Sequence, residues 1–404
     1  MAVNKNFYIK SKSFDLHVKI LFVEIKLYIG SFLRAFFSLF VAYNYVSFFK
    51  LICNNKEGNV LIIELNNFHS EIFPAWLFYL KGLSYDNKIF FVAPKLMKKD
   101  RPFDLMRKKD NCGYFFHSMN PSIIRWCFKF GLFSKYKRVI FNSDIFYNSA
   151  IDDKYSQLFE IFKDASIFKN VISYSHLVLD TIGNCNSTID PQKQLMTISP
   201  SISKDTGIKF VSPIYNNNSF EVDSHRAKIF DKQKIFTSCG NIKVGDKDSK
   251  NLFKALRVTQ NEDKNAMFNL VGKAPKILPL TSSVRHYKDR LSCVELKSIL
   301  QESHFILFLL TGLKSYRYKF NSSSGNLPLA LNFNLIPIIE DSFADFYCLN
   351  ETNAILYKEG ELDLAIKRVC NMKYSEYLEL QSSLNSLKLN LQKNSLKNIE
   401  FLLG

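Results

Sequence analysis

The chain has 404 residues, too many for one ordinary hydrophobic core and enough for two domains of usual size. Hydrophobic residues make up 47% of it, which excludes a disordered chain, and the formal charge of +17 calls for an anionic partner. The basic residues form no single tract; they gather at Lys95, Lys98, Lys99, Arg101, Arg107, Lys108 and Lys109 and again at Lys129, Lys135, Lys137 and Arg138. No zinc-finger, RRM or helix-turn-helix pattern accompanies them, so an anionic membrane surface and phosphate-bearing substrates are expected rather than nucleic acid.

Residues 1–57 read as an N-terminal helical extension. Its stretch 12–52 is aromatic and apolar but has no small-residue cleavage site, and its longest charge-free run, Ala35–Phe49, is short of the ~20 residues that span a bilayer. Asp15, Lys19, Lys26 and Arg34 recur near whole helical turns. Two readings stand: an amphipathic helix lying in the membrane interface, and a helix packed on its own protein or in a homo-oligomer.

From residue 58 the pattern changes. NVLIIEL (59–65) is a continuous apolar run, as a strand buried on both faces requires, and the helical pattern of 74–83 and the run KIFFVAP (88–94) complete a βαβ unit. Further short runs at 112–118, 138–144, 170–176, 193–200 and 209–215 predict a doubly wound sheet over 58–215. The polar stretch 216–233 reads as a linker. A second series of strands (234–242, 266–273, 283–289, 304–310, 335–341 and 354–358) alternates with helices at 249–259, 293–302, 325–333 and 361–370, giving a second such domain over 234–373. Leucines at helical spacing predict a C-terminal helix over 374–404. The eight cysteines are scattered singly with no C-x-x-C, so reduced thiols are expected, and neither a zinc site nor a disulfide framework.

Three passages carry a family resemblance. FTSCGNI (236–242) with KNL (250–252), NLVGK (269–273), and SSSGNLPLALNFNLIPIIED (322–341) together resemble the donor-binding half of GT-B glycosyltransferases, above all bacterial enzymes of capsule and lipopolysaccharide synthesis. NNFHSE (66–71) is similar to the opening loop of their acceptor half. The resemblance implies two Rossmann-like domains facing a cleft, a nucleotide-sugar donor, a lipid-linked or oligosaccharide acceptor, no cofactor or metal, and a peripheral place on the cytoplasmic face of the inner membrane. It implies donor contacts from Gly240, Asn241, Gly272, Lys273, Tyr318, Lys319, Ser324, Gly325, Asn326 and Glu340. The sequence departs from the E-x7-E signature of retaining members: Glu340 stands for the second acid, but position 332 is Asn. A non-catalytic scaffold on the same fold is the alternative, and a nicotinamide oxidoreductase is disfavoured because no G-x-G-x-x-G is present.

The chemistry fits those residue types. A breaking glycosidic bond loads negative charge onto the leaving diphosphate, which needs donors aimed at it. Ser324-Gly325-Asn326 opening an apolar helix offers backbone N–H groups and a positive helix end, with Tyr318 and Lys319 before it; the plain reading is an N-cap. Lys273 ends a strand and is either a diphosphate partner or a surface lysine. Glu340 and Asp341 are placed to accept hydrogen bonds from sugar or ribose hydroxyls, or to cap a helix. His69 and Glu71, beyond the first strand, are the expected general base for the acceptor hydroxyl; a helix entry is the competing reading. Asp144 and His176 follow strands as weaker candidates. Asp246-Lys247-Asp248 spells D-x-D but precedes a helix, where Asp caps.

Overall fold

The structure, a computed structural model, describes residues 60–65, 72–83, 89–100, 112–116, 124, 127, 130–142, 145, 169–175, 190–215, 224–242, 249–262, 265–275, 282–310, 318 and 324–404. The expected extension over 1–57 lies outside them, as do His69, Glu71, Asp144, His176, the D-x-D pair and Lys319.

The first half is a seven-stranded sheet. Strands β1 (Val60–Ile63), β2 (Ile89–Ala93), β3 (Cys112–Phe116), β4 (Arg138–Phe141), β5 (Val171–Ser175), β6 (Leu195–Thr197) and β7 (Lys209–Phe210) lie in the order β3-β2-β1-β4-β5-β6-β7, every pair parallel. Apolar runs such as Val60–Ile63 are buried throughout, as strands covered on both faces must be. Helix α1 (Ile72–Gly82) is buried nearly all round, from Ile72 to Leu77 and at Tyr79 and Leu80, with Phe73 edge-on to Phe91 and Trp76 edge-on to Tyr174.

Two expected strands are shorter than the sequence suggests. The run 193–200 begins as helix α2 (Pro191–Gln194), because Asp190 caps it and Pro191 sits in its first turn. Helix α3 (Pro200–Thr206) then has Ser199 as its cap and Gly207, at φ 73°, as its left-handed stop. In 209–215 only two residues join the sheet. Residues 210–215 instead cross towards the second half, and side chains from both halves take their backbone groups.

Helix α4 (Ser224–Phe230) occupies the expected linker. Phe230 is fully buried against Tyr377, and Arg226 donates to the carbonyls of Leu300, Gln301 and Phe333, a cation closing the ends of two helices. The second sheet comprises β8 (Lys234–Cys239), β9 (Ala266–Val271), β10 (Val284–Tyr287), β11 (Phe305–Phe308), β12 (Ile336–Glu340) and β13 (Ile355–Tyr357), in the order β10-β9-β8-β11-β12-β13 and again parallel. Its core includes Phe236 stacked between Phe268 and Phe305. Helices α5 (Ser249–Glu262), α6 (Cys293–Glu302), α7 (Asn326–Phe333), α8 (Asp341–Ala344) and α9 (Leu362–Cys370) intervene, α6 opening on a Ser292/Glu295 capping box.

The terminal helix α10 (Tyr374–Leu403) belongs to both cores. Tyr377, Leu384 and Leu391 pack into the second, whereas Ile399, Leu402 and Leu403 pack into the first. Among the described residues no helix is long and apolar enough to cross a membrane.

Lys388 is buried midway along α10, and desolvation brings its pKa down to about 8 from 10.5. The folded state therefore pays most at neutral pH, where the ammonium is charged. Between about pH 8 and 10.5 the unfolded chain holds a proton that the folded chain has released, so this group's contribution to stability rises with pH. Lys388→Met should accordingly raise Tm at pH 7 by roughly 1–3 °C, with the gain shrinking as pH climbs above 8. Calorimetric melting across that range checks it, and a gain that is flat with pH contradicts it.

Candidate functional site

Each sheet reverses its strand order beside its own first strand, between β1 and β4 and between β8 and β11. Connections leaving those neighbours go to opposite faces, which opens a crevice at the carboxyl ends. The two carboxyl edges approach each other. Arg290, just after β10, donates through Nε to Asp100 Oδ1 at 2.6 Å and through a terminal nitrogen to Oδ2, a two-pronged ion pair. Asp100 closes the 3-10 helix Lys95–Asp100 that follows β2, so this bond ties one carboxyl edge to the other.

On the second sheet the sequence-expected residues fall into two groups. The first is knit from backbone. Gly240 N donates to Val271 O (2.9 Å), Lys273 N to Asn241 Oδ1 (3.0 Å), Ile242 N to Lys273 O (2.7 Å), and the His286 ring meets Gly272 O (2.8 Å). Gly272 has φ 119°, and a Cβ there would stand 2.9 Å from the carbonyl carbon of Gly240. Only glycine permits that approach, which brings the ends of β8 and β9 into backbone contact. Gly240, Asn241 and Lys273 are exposed around it.

The second group surrounds the start of α7. Asn326 Nδ2 donates to Leu307 O (3.0 Å), fixing the helix start against β11. Ser324 Oγ accepts from Asn326 N, and Ser324 N donates to the hydroxyl of Tyr347 at 3.1 Å. Gly325 is exposed, and nothing lies within 4 Å of where its Cβ would be. Tyr318 is half-buried, its carbonyl 3.5 Å from the Tyr347 hydroxyl. Glu340, buried at the end of β12, accepts from Ser342 Oγ at 2.6 Å. Asp341 is the first residue of α8 and not its cap, a place Glu340 holds without a side-chain cap bond.

Asn332, where the signature acid is missing, faces elsewhere: it donates to Pro213 O (2.9 Å) and accepts from Tyr215 N (2.8 Å), serving the crossing between halves.

The first sheet holds a polar group that the sequence reading passed over. Glu64, just beyond β1, is fully buried and accepts from Asn142 Nδ2 at 2.9 Å, while Trp76 Nε1 reaches Asn142 Oδ1 at 3.3 Å. Ser173 and Ser175 of β5 are buried nearby in sheet order, Ser173 Oγ accepting from Ile145 N. The signal was present: an acid closing the apolar run of 60–63. Burying a carboxylate is costly unless it is bonded, so its place at the crevice marks a built feature. Among the described residues no group of three His, Cys, Asp or Glu side chains is arranged to hold a metal.

No family model matches the chain, and no curated protein matches it in sequence. Solved structures do. HepE of Anabaena, determined in complex with UDP and glucose, is 10% identical, covers 86% of this chain and 99% of its own, and superposes with a TM-score of 0.56. A glycosyltransferase from Rickettsia africae is 14% identical, covers 86% and 98%, and gives a TM-score of 0.50. With two parallel Rossmann-like sheets in the same arrangement, the chain has the GT-B fold expected from its sequence.

The bond between the edges has a measurable weight. Arg290→Ala leaves the Asp100 carboxylate buried without its guanidinium partner, which should lower stability by about 1–3 kcal/mol, Arg290 itself being half exposed. Urea unfolding of the two single variants and of Arg290→Ala with Asp100→Ala should show that the double change costs less than the sum.

Proposed function

We propose that this chain is a glycosyltransferase that moves a sugar from a nucleotide-sugar donor to a lipid-linked or oligosaccharide acceptor of a cell-surface glycan. The observation that carries the reading is the open, exposed Gly325 at the start of α7, set at the carboxyl edge beside the reversal of the second sheet. Open α/β sheets bind ligands there, and a helix start attracts phosphate. HepE, which shares the fold, was solved with UDP and glucose. In this reading the donor diphosphate lies at Ser324-Gly325-Asn326, with Lys273 and Lys319 supplying charge as the glycosidic bond breaks. Gly240, Asn241, Gly272 and Tyr318 shape the same pocket, and Glu340 holds a donor hydroxyl. No metal takes part in this reading.

Lengthening Gly325 fills the space a diphosphate needs, whereas Lys273→Ala removes charge alone. Calorimetry with UDP and GDP should find binding lost in Gly325→Val and weakened several-fold in Lys273→Ala. Unchanged affinity in both refutes the assignment. Retained partner binding without any nucleotide affinity favours the scaffold alternative.

His69 and Glu71 are proposed to deprotonate the acceptor hydroxyl, imidazole being a side chain suited to accept a proton near neutral pH. His69→Ala or Glu71→Ala should lower kcat by roughly 10²-fold with donor affinity nearly unchanged. Single-turnover rates with a donor titration separate the two effects.

The acceptor is proposed to be of capsule, O-antigen or lipopolysaccharide type, met at the cytoplasmic face of the inner membrane, with residues 12–52 as a peripheral anchor drawn to anionic lipid. Flotation on vesicles containing anionic lipid should fall when those residues are removed; equal flotation excludes them as the anchor.

A further inference from the structure

The start of α7 is shaped by a residue from elsewhere in the chain. Ser324 N–H is taken by the hydroxyl of Tyr347 at 3.1 Å, the same hydroxyl that lies 3.5 Å from the Tyr318 carbonyl. Tyr347 is buried, its ring edge-on to Phe308 at the end of β11 with centroids 5.6 Å apart. It closes the short 3-10 turn Asp345–Tyr347, which ends at Cys348 in the left-handed region (φ 56°) with Cys348 N bonded to Asp345 O at 3.1 Å.

That turn is braced from the far side. Helix α3 of the first half packs against it. The hydroxyl thus sits in a frame fixed by β11, by α8 and by the first half.

The amides at a helix start are the groups an anion uses. Here the Ser324 amide is committed to Tyr347 and the Asn326 amide to Ser324 Oγ, and the exposed Gly325 stands between them. Fixing both flanks of a glycine removes the conformational freedom it would otherwise have to lose on binding.

We propose that Tyr347 is a positioning residue for the nucleotide diphosphate: its hydroxyl holds the Ser324 turn in the shape that presents Gly325, without touching the nucleotide itself. The inference rests on the reading of that turn as the diphosphate site. It also gives the first half, through α3, a mechanical hold on the nucleotide site of the second.

The test uses full-length Tyr347→Phe, which keeps the ring and its packing on Phe308 and deletes one oxygen. Calorimetry with UDP and GDP should show Kd raised by roughly 5- to 20-fold. The Ser324 amide should exchange with solvent at least about tenfold faster, because its bond partner is gone, while Tm falls by no more than a few degrees. Gly325→Val in both backgrounds separates the layers. If Gly325→Val binds UDP normally, the diphosphate site is elsewhere and the positioning role falls with it. If Gly325→Val loses binding, yet Tyr347→Phe binds both nucleotides with unchanged Kd, the turn needs no such support and the role of Tyr347 is overturned.

Discussion

The extended segment 210–215 is the constraint on which the relation between the two halves depends. It leaves the sheet after Phe210, with Val211 N still donating to Thr197 O, and beyond that point most of its backbone groups take partners from side chains. They come from four places: Asn398 donates to Phe210 O, Tyr174 to Val211 O, Tyr79 to Ser212 O and Asn332 to Pro213 O, while Ser212 N donates to Ser395 and Tyr215 N to Asn332. Tyr79 and Tyr174 belong to the first half, Asn332 to the second, and Ser395 and Asn398 to α10, which serves both. Burial pushes the Tyr79 phenol pKa up, so it remains a neutral donor at any ordinary pH. Moving one half against the other breaks several of these bonds together. The Arg290–Asp100 pair restrains the opposite side, and between these two ties the carboxyl edges are held in register.

That register gives the candidate site its character. The second sheet contributes closely packed backbone at the Gly240–Gly272 contact and open space at the exposed Gly325. The first contributes buried polar side chains, Glu64 and Asn142 foremost.

Most of the architecture was legible in the sequence because parallel strands are apolar on both faces and leave unbroken runs. Val60–Ile63, Ile336–Glu340 and the helix from Tyr374 stand within a residue or two of their expected places. The failures share a cause. The stretch 216–233 looked like linker because its few apolar residues, the buried Phe230 among them, stand among polar and charged ones, and the role of Arg226 as a shared helix cap depends on two helix ends 74 and 107 residues away. Glu64 closes a visible apolar run, but its partner Asn142 lies 78 residues away, and the Ser324 amide that bonds Tyr347 lies 23 residues away, so neither pairing shows in local pattern. The glycines were legible by position, Gly272 after a strand and Gly325 before a helix, although only Gly272 needs glycine's special backbone. The geometry between them was not.

The path of α10 bears on how the molecule is made. The first sheet is complete as a sequence by residue 210, yet its core still lacks Ile399, Leu402 and Leu403, and Arg138 of β4 still lacks the Leu402 carbonyl it bonds. A half that emerges early from the ribosome therefore waits for nearly two hundred further residues before its apolar surface is closed, exposed in the meantime to chaperones and to aggregation. A cut that removes the last turns of α10 takes Ile399, Leu402 and Leu403 from the core of the domain at the other end of the chain.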